Sequence, residues 1–388
     1  MFLPHPLAPR RSSPVIPAAL LNSTTPKLAG LELHCCNFSW KSALLKGLRT
    51  LGIWNLPQIS RPPLEDWLDA LDEMPELEVL ILRDAGPICS TGHANISEPQ
   101  RTITLPFLTQ FEITADVLDC VPALAHLVLP VLTSLRVDTF DRHGNGICPL
   151  IPHVVRNAHG LQDMAPLQRI VIQGRKCHVK ILAWTIPDAD IDDCIQPRMD
   201  FRAWGYMCDY ETCTTILDAL LTHLSTDAIS TLSIEYPTRL TKEFLLRHVS
   251  SLVMLERVHL DPTSFRAFRD MLTEDPPPIS PRLPRLRKLV LRKVSLTALR
   301  TYRLRDMLKQ RAEQGAPLET LDLRRCTAAH RAIELLATTV GDVQAPEKTL
   351  KRGDPAFFHW KGGVELFDEK EKLAEDDEYD SLSGAHSC

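Results

Sequence analysis

Long apolar runs, paired cysteines and catalytic signatures are all missing from this chain. Its longest apolar stretch, around 124–135, is interrupted by His126 and Pro130, so nothing approaches the about twenty residues that a membrane-spanning helix needs. The eleven cysteines are odd in number and include no C-x-x-C pair. That argues against the disulfide framework of a small secreted domain and for reduced thiols in a cytoplasmic or nuclear protein. The first 26 residues carry no acid, yet prolines at 4, 6, 9, 14 and 17 break the segment up, so no signal or transit peptide is expected. Three Asn-x-Ser/Thr triplets, at Asn22, Asn37 and Asn95, then read as chance matches rather than glycan acceptors. No G-x-S-x-G elbow, Walker loop, G-x-G-x-x-G turn or H-E-x-x-H helix is present. The expectation is a non-enzymatic protein with no catalytic residues, no cofactor and no metal.

What the chain does have is leucine at fixed spacing. Leu28, Leu31 and Leu33 with Cys36 return at the far end as Leu318, Leu321 and Leu323 with Cys326. A strand-plus-helix unit buries its apolar side only against its neighbours, so recurrence at such intervals predicts an α/β leucine-rich-repeat solenoid, a horseshoe with a parallel concave sheet and convex helices. Strand cores are expected at 28–33, 48–53, 77–82, 108–113 and 124–129, with a closely spaced extra strand at 132–137. The series resumes at 167–172, 229–234, 255–260, 286–291 and 318–323. Helical spacing predicts convex helices at 64–74, 214–224, 240–250, 264–272 and 298–313, with Trp67 facing the core. Three regions result: a Pro-rich segment 1–26 that could serve as a partial cap, a repeat domain 27–340, and an extension 341–388 ending in an acidic, disordered tail. Interruptions near 138–166 and 173–228 read as insertions or degenerate repeats, the second holding a further strand at 179–186.

Three clusters invite a metal or thiol reading. Asp188, Asp190, Asp192 and Asp193 alternate like the start of a calcium loop, but the sixth and twelfth positions hold Asp193 and Met199 where glycine and glutamate are required. Cys208, Cys213 and His223 lack the second ligand pair that zinc needs. An acidic loop and buried thiols are the readings that remain. Cys36 and Cys326 fall where a repeat turns its side chain inward to support the bend, a structural role.

Charge is more specific. The net charge of -5 conceals eleven basic residues against the single acid Asp306 between 282 and 311, among them Arg285, Arg287, Lys288, Arg292, Lys293, Arg300, Arg303 and Arg305. Such a field attracts an acidic partner or phosphates, or else is a solvated surface. Tyr302 is the stretch's one aromatic, which disfavours nucleic acid. The segment 368–380 carries eight acids and two lysines, so it is expected to fold back onto the basic repeats.

The segment PKLAGLELHCCNFSWKSALLKGLRTLGIWN with PPLEDWLDALDEMPELEVLILRDA resembles the repeat region of fungal F-box leucine-rich-repeat proteins. The resemblance covers about 15–330, strongest over the first hundred residues, and its F-box helices have no counterpart beyond PAALL at 17–21. It implies a recognition scaffold similar to the substrate-binding half of a ubiquitin-ligase adaptor, with a Skp-type adaptor and cullin as partners only if F-box helices lie upstream. The alternative is an autonomous scaffold whose basic repeats hold an acidic protein or nucleic acid. In either case a protein partner is expected on the concave face, to which Glu32, His34, Thr50, Trp54, Ile81, Arg83, Glu112, Arg257, His259, Lys288, Arg292, Asp322 and Arg324 should project. Trp54 beside Ile81 is the preferred hot spot; the other reading has Trp54 covered by the N-terminal segment.

Overall fold

The computed structural model describes residues 14–16, 28–88, 99–141, 146–159, 165–175, 178–186, 196–205, 210–235, 240–273, 281–346 and 349–350. They belong to two compact units, Met1–Leu286 and Arg287–Cys388.

The first unit opens with β1 (Gly30–His34), β2 (Thr50–Trp54), α1 (Leu64–Asp72), β3 (Val79–Arg83), β4 (Ile103–Thr104) and β5 (Gln110–Asp116). It continues with α2 (Val117–Ala125), β6 (Leu127–Val128), β7 (Ser134–Asp141), α3 (Ile151–His159), β8 (Arg169–Arg175), β9 (His178–Trp184) and β10 (Met199–Gly205). Last come α4 (Tyr210–His223), β11 (Thr231–Glu235), α5 (Lys242–His248), β12 (Arg257–Leu260) and α6 (Pro262–Leu272). The main sheet runs β1-β2-β3-β5-β7-β10-β9-β8-β11-β12, and β4 pairs with β6 apart from it. Every pairing is parallel except those of β9, which runs antiparallel to both β8 and β10.

The leucine signature supplies the buried side of this sheet. Leu51, Leu80, Phe111, Leu135, Met199, Ala183, Ile170, Leu232 and Val258 share one register row and are all buried. Each large side chain in such a row contributes about 1.5–3 kcal/mol by leaving water. The helices close over this side, α2 packing on β5 and β7, α3 on β7 and α4, α4 on α5, and α5 on α6. Their starts are written locally: Asp116, Thr241 and Asp261 accept the backbone N–H groups of Leu118, Phe244 and Ser264, satisfying donors a first helical turn leaves open. Arg156 in turn donates to the carbonyls of Leu124, Ala125 and Leu127 where α2 ends, the place where a cation suits the helix dipole.

Between strands the backbone repeats one device. Cys35, Asn55 and Asp84, each just after β1, β2 and β3, have φ of 53°, 53° and 50°. Their N–H groups donate to the next strand's Trp54, Arg83 and Thr114 carbonyls at 2.9, 2.7 and 2.7 Å. The position one further on departs from expectation. Leu56 and Ala85 fill it as buried apolar residues, while Cys36 is only half-buried and donates to the nearby His34 carbonyl. Cys36 therefore does not turn inward as the spacing predicts.

Two further expectations change. The stretch 124–129 is not a strand: Val117–Ala125 is helical with Pro122 inside it, and only Leu127–Val128 are extended. The apolar run VLDCVPALA satisfies both periodicities, and the Asp116 cap decides for helix. The region 173–228 is not a loop insertion but holds most of β8–β10 and α4. The strand expected at 179–186 is β9, and β10 beside it was not anticipated. The sheet is therefore mostly rather than wholly parallel. Asp188, Asp190, Asp192, Asp193 and Cys208 lie outside the described residues.

The second unit comprises β13 (Lys288–Leu296), α7 (Ala298–Glu313), β14 (Thr320–Ala329), α8 (His330–Ala337), β15 (Asp342–Gln344) and β16 (Thr349–Leu350). β14 pairs in parallel with β13, with β15 at Thr320–Asp322 and with β16 at Ala328–Ala329. Leu289, Leu291, Leu321, Leu323, Leu304 and Leu308 form its core. Here Cys326 does turn inward; it is buried, donates to the Leu291 carbonyl at 3.2 Å, and burial pushes its thiol up to about 11.

Candidate partner-binding face

The side of the first unit's sheet opposite the buried row carries mainly polar and aromatic residues, interrupted by Gly52, Ile81, Leu182 and Val171. One row reads Glu32, Gly52, Ile81, Glu112, Arg136, Asp200, Leu182, Val171, Ser233 and His259 across ten strands. The next reads His34, Trp54, Arg83, Thr114, Asp138, Arg202, Lys180, Gln173 and Glu235.

Charges of opposite sign alternate along the middle of this face. Arg83 donates to Glu112 at 2.7 Å, Arg136 stands 3.6 Å from Glu112 and 3.9 Å from Asp200, and Arg202 donates to both Asp200 oxygens at 2.9 and 2.7 Å. The arginine stems lie over the acids, so Glu112 and Asp200 are buried although the sheet face is open. The hydrogen bond to Asp200 raises the Arg202 pKa above its ordinary value. Desolvation lowers that of Lys180 and raises that of Asp138, the latter opposed by the Trp204 hydrogen bond. Arg136 Nε is enclosed yet makes no hydrogen bond among the described residues. Its charge is held instead by the two carboxylates at ion-pair distance.

Three tryptophans share the face, each held by a neighbour. Trp54 stacks on His34 at 4.3 Å with an interplanar angle of 5°. It also lies across Gly52, where a Cβ would come within 2.2 Å of the indole, so glycine is required for this close approach. Trp184 sits beneath the Arg169 guanidinium at 5.3 Å, a cation–π arrangement. Trp204 stacks on His178 at 4.0 Å and donates from Nε1 to Asp138 at 2.7 Å, yet remains 45% exposed. Trp184 is itself buried, as are Trp40 and Trp67, Trp67 completely, as its helical spacing predicts.

The structure thus gathers Trp54, Ile81 and Arg83 on adjacent strands, as expected, with Trp54 half-covered by His34. The N-terminal Val15 bridges Asn37. Arg257 and His259 are half-buried on β12 at the other end of the face. Lys288, Arg292, Asp322 and Arg324 belong to the second unit, Asp322 buried beneath Arg324, which donates to it at 2.7 Å. The basic stretch divides likewise: Arg285 closes the first unit, whereas Arg287, Lys293, Arg300 and Arg303 are in the second. Trp204, His178, Asp138, Arg136 and Asp200 were missed. The signal was present, since Met199, Phe201 and Ala203 are buried and alternate with Asp200, Arg202 and Trp204.

Fold and face together define an α/β protein with a large, mostly parallel sheet, helices on one side and a polar, tryptophan-bearing face on the other. No protein-family model matches the chain, and no curated protein matches it significantly. Among the described residues no helix is long and apolar enough to cross a membrane, and no group of three or more His, Cys, Asp or Glu is disposed to hold a metal ion.

Proposed function

We propose that this protein is a non-catalytic recognition scaffold of leucine-rich-repeat type that binds a protein partner on the open face of β1–β12, as the substrate-binding repeats of an F-box ubiquitin-ligase adaptor do. The observation that carries the reading is Trp204. A large aromatic, 45% exposed, is fixed by stacking on His178 and by its bond to Asp138. Aromatics held rigid before binding lose little entropy on contact and dominate interface energetics. The neighbouring arginine–carboxylate pairs along the middle of the face orient a partner through polar contacts.

Quantitative affinity purification of the full chain, wild type against Trp204→Ala and Arg83→Ala, tests the reading. Partners recovered with wild type should fall about tenfold or more with Trp204→Ala, as for a hot spot. A Skp-type adaptor and a cullin among proteins retained by both forms supports the ligase role. Identical recovery of every partner from all three forms would exclude the face as the binding surface.

A further inference from the structure

Along the middle of the first unit's open face each arginine meets a carboxylate, and the cation that breaks the pattern is Lys180. It lies on β9 directly opposite Arg202 of β10 and beside the neutral Gln173 of β8. Arg202 engages Asp200 through Nε and Nη2, and Gln173 donates to Glu235 at 3.0 Å. Among the described residues no hydrogen bond or ion pair is directed to Lys180. Asp200 favours its charge through space, while Arg202 and Arg136 oppose it. The side chain is half-buried, and desolvation lowers its pKa. Like charges directly opposite each other destabilise a strand pair, and an ammonium drawn partly out of water without an acceptor in exchange is costly. One step along the same two strands the facing pair is Trp204 and His178. Side chains two residues apart on a strand share a face and stand about 7 Å apart. The cation pair and the exposed indole therefore form one block, in which Arg202 Nη1 also makes no hydrogen bond among the described residues.

We propose, building on the recognition role above, that this block selects the partner's sequence: Lys180 and Arg202 receive one acidic side chain, Asp or Glu, and Trp204 receives a large apolar side chain two residues away from it. The spacing follows from the block itself, since an extended partner segment repeats the same distance over two residues. The surrounding charge argues for a single carboxylate rather than a row of phosphates. Asp138 stands in register with Arg202 on the side away from Lys180, Asp200 precedes Arg202 on β10, and Glu112 lies beyond Arg136. A polyanion continuing past the block would meet these carboxylates, and juxtaposed like charges reject a wrong partner. One acidic side chain meets only the two cations.

A phage-displayed library of random dodecapeptides, selected on the full chain at low ionic strength, is the probe. Peptides retained by wild type and lost with Trp204→Ala should carry Asp or Glu two positions from a large apolar residue about fivefold more often than the library does. Lys180→Met keeps the aliphatic stem without the charge and should weaken those peptides about tenfold, between the effects of breaking an exposed and a buried charge pair. Lys180→Glu should reverse the preference and select Lys or Arg at the same position. Such a reversal cannot come from misfolding. Trp204-dependent peptides with no enrichment in acids, or with a preference that neither Lys180 variant alters, would overturn the inference and leave the recognition face standing. A library that yields no Trp204-dependent peptide would remove both. Binding of a single-stranded oligonucleotide more tightly than any selected peptide, and its loss with Lys180→Met, would also overturn the inference by assigning the block to phosphate.

Discussion

The exposed faces of the two units handle charge in opposite ways. On the first, Arg83, Arg136 and Arg202 alternate with Glu112 and Asp200, and Trp54 and Trp204 stand beside a nearly self-neutralised surface. On the second, cation meets cation at Arg292 and Arg325 across a distorted pair of strands. The same burial of strand leucines underlies both, as at Leu51 and Leu80 in the first unit and Leu289 and Leu321 in the second. Under the proposed binding role, specificity is set by the strand positions between the leucines. A neutral aromatic face suits shape-selective contact, whereas a like-charged one selects mainly for sign.

If only the faces differ, the cores should respond alike. Phe111→Ala, at a fully buried position in the first unit, should cost about 3–5 kcal/mol, and Leu321→Ala, equally buried in the second, about 2–5 kcal/mol. Urea midpoints measure both; a cost under about 1 kcal/mol at either site would break the comparison. A smaller effect sharpens the aromatic side. Gly52→Ala places a methyl where the Trp54 ring lies, so the indole must leave His34 at a cost of about 1–3 kcal/mol. Near-ultraviolet circular dichroism should change, while Trp204 and its contacts stay as they are.

The smallest expected effect is on the helix side of the first unit, which serves as a control for both faces. Asp218 accepts from His248 and Arg247 at 2.7 Å each, and the His248 bond, followed by that from Arg247, holds its carboxyl below the usual range. A carboxylate with a depressed folded pKa contributes stability above its unfolded pKa, near 3.9, and loses it as pH falls through the lower folded value. Asp218→Asn should therefore flatten the acid limb of stability against pH below about 4, as followed by urea midpoints, without altering either face.

How much of this was legible in the sequence depends on the range of the interaction. Leu51, Ile53, Leu80 and Leu82 announce their strands because burial imposes a local period, and helix caps such as Thr297, which accepts from Arg300 N–H, sit at the predicted start of α7. The run VLDCVPALA misled because it is apolar in every direction, so period alone could not choose between helix and strand. β10 had the alternation of a strand but lay inside a segment too long for one repeat. That it pairs with β7, far back in the chain, is not encoded by any local pattern. The same holds for the site. Trp54 and Arg83 could be found from repeat register, whereas the meeting of Trp204, His178 and Asp138 depends on strands that return against the direction of the array.

That return also limits how this protein can change length. Between β1 and β5 each main-sheet strand follows its predecessor, so a whole unit could be gained or lost and its neighbours would still find matching edges. From β7 to β11 the chain jumps ahead, then fills the gap backward through β9 and β10. Removing β9 alone would make β8 and β10, which run in the same direction, meet in parallel, so the chain would need a crossover between them in place of its antiparallel returns. The region should therefore tolerate substitution at its surface but not insertion or deletion of a strand.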